Sequence, residues 1–99
     1  MVRHIVLFKL RDDVPEEEKL RVMKAFKAAI EALPPKIACI REIEVGLNMD
    51  PNEKWHIALN SVFDNMDDVN FYSVHPDHVA AGKLLADTKE LRACVNYDF

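Results

Sequence analysis

The residue types best suited to chemistry lie together in one short stretch, Phe71 to His78. The stretch holds Tyr72, His75 and His78, which are a phenol and two of the chain's 4 histidines. Tyrosine and histidine can pass protons between them, and the dipole of a helix helps to set the charge of a histidine near its start. This stretch therefore supplies the leading candidates for acid–base catalysis.

The reaction that suits these residues is removal of a proton from carbon. A carbon acid beside a carbonyl or thioester needs a neutral base and a donor that holds the enolate oxygen. A helix dipole and partial burial both keep His78 neutral, so it suits the base, and Tyr72 suits the donor. Structural roles compete with this hypothesis, because His78 can tie down a loop by a hydrogen bond and Tyr72 can be a rim aromatic.

Pro76 predicts a break between two helices, because a residue that precedes proline disfavours helical geometry. The first helix is predicted from caps within Asp64 to Asp68 and runs through Val74. His75 then stands at the cap of the second helix, with Pro76 in its first turn, and can act there as a backbone anchor. The break would direct Tyr72 and His78 toward the mouth of one cavity.

Four segments have the composition of strands. Val2 to Leu10 is apolar on both faces, as expected of a strand that is covered on its two sides. Lys36 to Val45 and Trp55 to Phe63 alternate apolar and polar residues, and Leu91 to Phe99 closes the chain in the same way.

A further helix is predicted after the first strand. Asp13 or Val14 stands near its cap, Pro15 suits its first turn, and glutamates follow at the positive end of the helix dipole. Apolar residues then recur at steps of three and four until two prolines end the helix. These residues are Leu20, Met23, Phe26, Ile30 and Leu33.

The element order β-α-β-β-α-β predicts a single α+β domain over residues 1–99, with a ferredoxin-like four-stranded antiparallel sheet and helices on one face. We assign to the bare face a set of side chains that is too apolar to be left in water: His4, Val6, Phe8, Ala38, Ile40, His56, Ala58 and Val62. A second subunit laid sheet to sheet would cover this face and close a barrel. A homodimer is therefore predicted, with a cavity between a sheet face and the helix over its rim. His4, His56 and His75 are the further candidate ligand contacts. The alternative for His4 and His56 is a role as core or interface histidines.

Composition narrows the classes of partner. The net charge is −4 and lysines and arginines are scattered, so the basic patch of a nucleic-acid-binding protein is missing. No apolar run approaches the roughly 20 residues that span a membrane. Cys39 and Cys94 resemble small buried hydrophobes, and the start lacks a signal-peptide pattern, which favours a cytoplasmic setting. A metal bound by His75, Asp77, His78 and a strand histidine is a weaker alternative, and no cofactor is expected.

Four segments in this order resemble one known family. They are His4-Ile5-Val6-Leu7-Phe8-Lys9-Leu10, Ile43-Glu44-Val45-Gly46, Tyr72 to His78 with its His-Pro-x-His core, and Tyr97-Asp98-Phe99. Together they resemble the stress-responsive dimeric α/β barrel (Dabb) family over essentially the whole chain. The resemblance implies a homodimeric ferredoxin-like barrel, and many members have no known activity.

One plant branch of that family implies a more specific hypothesis. Its polyketide cyclases close aromatic rings by aldol condensation without metal or cofactor, using a tyrosine and a histidine that match Tyr72 and His78. Its strand histidines match His4 and His56, and the first histidine of its motif matches His75. The chain departs from these cyclases at two places. Where the cyclases carry an aromatic hydroxyl in the first helix, this chain has Phe26 and Lys27, and Lys89 falls near the position of a large aromatic residue. A small carbonyl or aromatic ligand is the partner that this resemblance implies.

Overall fold

A computed structural model describes all of residues 1–99 and confirms the ferredoxin-like arrangement. Its strands are β1 (Val2–Leu10), β2 (Glu42–Leu47), β3 (Ile57–Phe63) and β4 (Lys89–Asp98), and its helices are α1 (Glu16–Glu31), α2 (Met66–Val74) and α3 (Pro76–Gly82). A 3₁₀ turn over Lys83–Leu85 follows α3. The strands pair antiparallel in the order β2-β3-β1-β4, so β1 is central and β4 lies at an edge.

The second strand is shorter than its sequence pattern predicts. Lys36 to Arg41 forms turns, and β2 begins only at Glu42. Ile37 and Ile40 in this segment are buried in the core, which explains why it reads as a structured apolar segment. A turn segment with buried apolar residues therefore imitates part of a strand pattern.

Helix α1 presents most of the predicted stripe to the core, since Met23, Phe26 and Ile30 are buried, but the prediction is wrong at Leu20. Lys19 is buried, whereas Leu20 is about half exposed. Lys19 stands seven residues before the buried Phe26, close to two full turns, and so lies on the same face. Leu20 is turned about 100° from that stripe, since each helical residue advances by this angle.

The prediction for the faces of β1 is wrong. His4, Val6 and Phe8 lie beneath the helices: the Phe8 ring is 5.4 Å from that of Phe26 in α1, and the His4 ring is 6.0 Å from that of Tyr72 in α2. Because β1 is apolar on both faces, the alternation of its sequence does not determine which face lies beneath the helices.

The bare face of the sheet is formed instead by the alternate residues of the four strands. On β1 these are Ile5 and Leu7, and the strand register sets Ala58 of β3 and Val95 of β4 beside them. The register also places Val62 on this face, as predicted, beside Arg3. Of the other residues assigned there, Ile40 is in the core, and Ala38 and His56 lie outside the strands.

Candidate functional site

The break at Pro76 has the predicted form. His75 ends α2 and caps α3, with extended backbone and a side-chain Nδ1 that accepts the backbone N–H of Asp77 at 3.1 Å. Asn65 caps α2 by accepting the N–H of Asp68 at 2.9 Å. These bonds occupy backbone N–H groups that a helix start leaves without a partner. The position of His78 in the first turn of α3 follows from this break.

The break brings three of the sequence-predicted residues together. The ring centroids of Tyr72 and His78 are 4.2 Å apart, and those of Tyr72 and His4 are 6.0 Å apart. Phe63 packs against the other side of Tyr72 at 5.1 Å. The tyrosine thus lies between one histidine from the central strand and one from α3.

His78 is held in a defined protonation state. Its Nδ1 lies 3.0 Å from the carbonyl oxygen of Ser73, which can only accept, so Nδ1 carries the proton and Nε2 keeps its lone pair. Burial lowers the pKa of His78, the bond to Ser73 opposes this, and the nearby positive charge of Arg92 lowers the pKa further. The ring is therefore neutral at pH 7, with Nε2 available as a base.

His4 is nearly as well defined. Its Nδ1 lies 2.6 Å from Oδ1 of Asn96, which accepts, and 3.8 Å from the sulfur of Cys94. Burial lowers the pKa of His4, whereas the bond to Asn96 raises it. His4 is fully enclosed within the chain, so its Nε2 is a second neutral imidazole nitrogen beside the tyrosine.

Tyr72 is enclosed more completely than a rim aromatic. It has no exposed surface, and its buried hydroxyl has no hydrogen-bond partner. Burial raises the pKa of Tyr72 far above its usual value, so the phenol stays protonated and can donate but cannot act as a base. A buried donor without a partner costs stability, so this hydroxyl is a candidate donor to a bound ligand.

A cavity of about 440 Å³ lies beside this cluster, between the sheet and α3. His4 and His78 line it, and Phe8 and Phe26 form part of its apolar wall. Tyr72 and His75 are not among its lining residues. The remaining polar wall is cationic, formed by Lys83, Lys89 and Arg92 without any carboxylate.

His56 lies elsewhere in the molecule. It stands just before β3 and lines a second cavity, of about 700 Å³, together with Glu16, Lys19 and Glu53. Its Nδ1 accepts the backbone N–H of Leu10 at 3.0 Å. Burial lowers the pKa of His56, and the charge of Lys19 lowers it further. The four histidines are therefore divided among a cavity, a helix cap and a second cavity.

Several residues that shape the first cavity were not singled out in the sequence. Ser73 fixes the tautomer of His78 through a backbone carbonyl, which no side-chain pattern can reveal. Lys83 comes from the 3₁₀ turn after α3, and Lys89 and Arg92 join it at the cavity because β4 pairs with β1. The available signal for this cationic wall was Arg92, which stands on an apolar strand and faces the same side of the sheet as His4.

The structure brings no three of the His, Cys, Asp and Glu side chains into a group that could hold a metal ion. It also contains no helix with both the length and the apolar character to cross a bilayer.

The sequence and the fold both match those of known proteins. The profile of the stress-responsive A/B barrel domain (Dabb) matches residues 2–99. The chain belongs to this family. A solved structure from Bacteroides fragilis, a dimeric protein of unknown function with a ferredoxin-like fold, is 73% identical. It superposes with a TM-score of 0.98, covering 99% of this chain and 95% of the other.

Two other relatives are more distant. An uncharacterized protein of Streptomyces coelicolor is 38% identical over 81 residues, which are 81% of each chain. The hydroxynitrile lyase of Passiflora edulis has a TM-score of 0.71, covering 97% of this chain and 90% of the lyase. At 18% identity, it shares the fold alone.

Proposed function

We propose that the protein is a homodimer that binds a small carbonyl compound in the cavity beside α3 and removes a proton from it with His78. The observation that carries this proposal is the bond from His78 Nδ1 to the Ser73 carbonyl. It leaves a neutral Nε2 without a protein partner on a residue that lines the cavity. A neutral nitrogen at an apolar cavity is the form that a general base requires.

The step itself is a proton transfer. Nε2 takes a proton from the carbon beside the carbonyl, the electron pair moves onto the carbonyl oxygen, and the same proton or one from solvent returns later. The resulting enolate needs a donor. Tyr72 remains the candidate, because its hydroxyl is protonated and unpartnered, but its full burial means that a ligand reaches it only after the cavity opens toward it.

An isotope-exchange experiment tests the base. Phenylpyruvate and phenylacetone share a methylene group between a phenyl ring and a carbonyl, and differ in carrying a carboxylate or a methyl group. Incubated with the protein in D₂O, at least one should exchange its methylene protons faster than in buffer, as followed by proton NMR. His78→Asn should lower the protein-dependent rate by about 10²–10⁴-fold, the usual contribution of a general base.

The choice of asparagine supplies the control for folding. Its amide nitrogen takes the position of Nδ1 and can still donate to the Ser73 carbonyl, so His78→Asn removes the base while this contact is retained. An unchanged melting temperature with lost exchange supports the proposal. No exchange by the wild type with either compound, or full exchange by the variant, contradicts it.

The homodimer is proposed on the bare face of the sheet. Val95 and Tyr97 of β4 are about half exposed there, next to Ile5 and Leu7. The Bacteroides fragilis relative is described as dimeric. Val95→Glu should therefore yield monomers in sedimentation velocity. Val74→Glu, an exposed valine at the end of α2, should leave the sedimentation unchanged. Equal behaviour of the two variants would place the interface elsewhere.

A non-catalytic stress or binding role is the second candidate. It is favoured by the histidine bonds that are plainly structural, those of His75 to Asp77 and of His56 to Leu10. It predicts a lower melting temperature or weaker dimerisation for His4→Ala, His56→Ala or His75→Ala. Unchanged melting and sedimentation in all three variants would exclude this role.

A further inference from the structure

We propose that the ligand of the His4–His78 cavity carries a carboxylate, which Lys83, Lys89 and Arg92 bind at the cavity wall. This inference rests on the proposed function, because it names the class of compound for the same site. It adds a recognition group to the acid–base residues. Its basis is the distribution of charge, which is independent of the geometry of His78.

The cavity wall is positively charged, although the whole chain has a negative net charge. The protein has a net charge of −4, yet the charged residues that line this cavity are three cations and no acid. The second cavity has the opposite composition, since Glu16, Asp50 and Glu53 line it beside Lys19. A chain with an excess of acids would not place three cations alone at one cavity merely by its composition.

These three cations also lack partners within the protein. Six of the 13 lysines and arginines form ion pairs with carboxylates: Lys9, Arg11, Lys19, Arg21, Lys27 and Arg41. Lys83, Lys89 and Arg92 form none. Their charges are therefore available to an anion from outside the chain, whereas most cations near α1 are already neutralised.

The cations are close to the groups that would do the chemistry. The ammonium of Lys89 lies 5.9 Å from the ring centroid of Phe8, in the apolar wall. Arg92 aligns with Phe8 in the register of β1 and β4, two residues from the partner of Val6. Its charge reaches both imidazoles, since it lowers the pKa of His4 and of His78. A carboxylate held here would thus bring its neighbouring carbonyl near Nε2 of His78.

A carboxylate on an apolar body fits the cavity better than a bare anion. Its walls include Val6, Phe8, Phe26 and Leu59, which would cover a hydrocarbon or aromatic group. Its volume of about 440 Å³ is within the range of roughly 300–1,000 Å³ that small-molecule sites have. An arginine presents two parallel donors that match a carboxylate.

Binding of benzoate and of benzamide tests this inference without any reaction. The two compounds have nearly the same shape and differ in charge. Chemical shifts of backbone amides, recorded during titration of the 99-residue protein, report both the affinity and the place of binding. Benzoate should bind at least 10-fold more tightly than benzamide, with the largest shifts at His78, Val79 and Lys83, and more weakly as salt increases.

Matched variants locate the charge. Lys89→Gln and Arg92→Gln should each weaken benzoate binding by 3-fold or more, with benzamide unchanged. Lys24→Gln and Lys36→Gln remove exposed, unpaired lysines outside the cavity and should leave both compounds unchanged. A loss of benzoate affinity in all four variants would mean a general charge effect and would overturn the inference.

The remaining outcomes separate this inference from the proposed function. Equal binding of benzoate and benzamide overturns the carboxylate and leaves a ligand cavity in place. Inorganic phosphate that competes as well as benzoate shows general anion binding and also overturns it. Binding of neither compound overturns this inference, while the exchange experiment still decides the proposed function. The expected preference for benzoate, without any His78-dependent exchange, supports the inference and contradicts only the catalytic role.

Discussion

Two cavities, each with a buried or half-buried histidine, differ in how their polar groups are satisfied. In the cavity at the start of α1, Lys19 pairs with Glu16 at 3.3 Å and His56 Nδ1 accepts the N–H of Leu10. In the cavity beside α3, the cations form no ion pair and His78 Nε2 has no partner within the chain. The first is the larger, so volume is a poor guide to function here.

This difference indicates that polar groups without a partner in the chain mark a candidate site better than residue type does. Buried polar groups in proteins are nearly always paired, and an exception needs a reason. The Tyr72 hydroxyl is such an exception, and it lies in ring contact with His78. Near His56, by contrast, the polar groups have partners within the chain: Lys19 pairs with Glu16, and His56 Nδ1 accepts the N–H of Leu10.

The largest difference between the cavities should appear when one lining side chain of each cavity, both on α1, is replaced by alanine. Phe26→Ala removes a fully buried ring from the cavity beside α3 and should destabilise the protein by about 3–5 kcal/mol. Leu20→Ala, in the wall of the other cavity, removes a half-exposed side chain and should change stability by less than about 0.5 kcal/mol. Chemical denaturation measures both, and similar losses would show that the cavity at α1 is also part of the core.

The cap of α3 should have the next largest effect. His75→Ala removes the acceptor of the Asp77 N–H and should lower stability by about 1 kcal/mol. His75→Asn, which keeps a good capping side chain, should restore most of that loss. A variant with asparagine that is no more stable than the one with alanine would assign His75 a role other than capping. Thermal and urea unfolding of the three proteins decide between these outcomes.

The hydroxyl of Tyr72 should show an effect of unusual sign. Tyr72→Phe removes a buried donor that has no partner, so the variant should gain about 1 kcal/mol of stability. A buried tyrosine with a satisfied hydroxyl would lose stability by the same change. A loss in urea unfolding would thus reveal a bound partner for this hydroxyl and remove one reason to place the donor here.

The smallest effect concerns pH. Burial holds the pKa of His4 and of His78 below the ordinary value of 6.5, so the unfolded chain binds more protons as pH falls below it. Stability should therefore decline below about pH 6.5 and level off beneath the folded pKa values. Arg92→Gln should raise the pKa of both residues and reduce this decline. NMR titration should find His56 unchanged in that variant, and a parallel shift of His56 would contradict the separation of the cavities.

Much of the fold was predictable because its signals are local. The break at Pro76, the cap at His75 and the limits of β1 follow from proline geometry and from a run of nine apolar or β-compatible residues. The start of β2 was not predictable in the same way. Ile37, Cys39, Ile43 and Val45 are spaced as on one face of a strand, and only the packing of Ile37 and Ile40 in the core distinguishes a buried turn.

The candidate site was predictable in part. Tyr72, His78 and His4 were selected by residue type, and they do lie together. His56 was assigned to the same face by alternation, but it precedes β3 and lies against α1. Arg92 on an apolar strand was the one signal for the cationic wall, because Lys83 comes from the turn after α3, Lys89 and Arg92 come from β4, and only the fold brings them together.

The sequence by itself determined the order of the elements, the position of the helix break and the residues able to exchange protons, since each depends on neighbours within a turn or a strand. Tertiary structure alone decided which face of β1 is covered, which nitrogen of His78 is unprotonated and which charges have no partner. These properties arise from contacts that residue type does not specify. The carbonyl of Ser73 reaches His78 across the break between α2 and α3, and the side chain of Arg92 reaches it from β4.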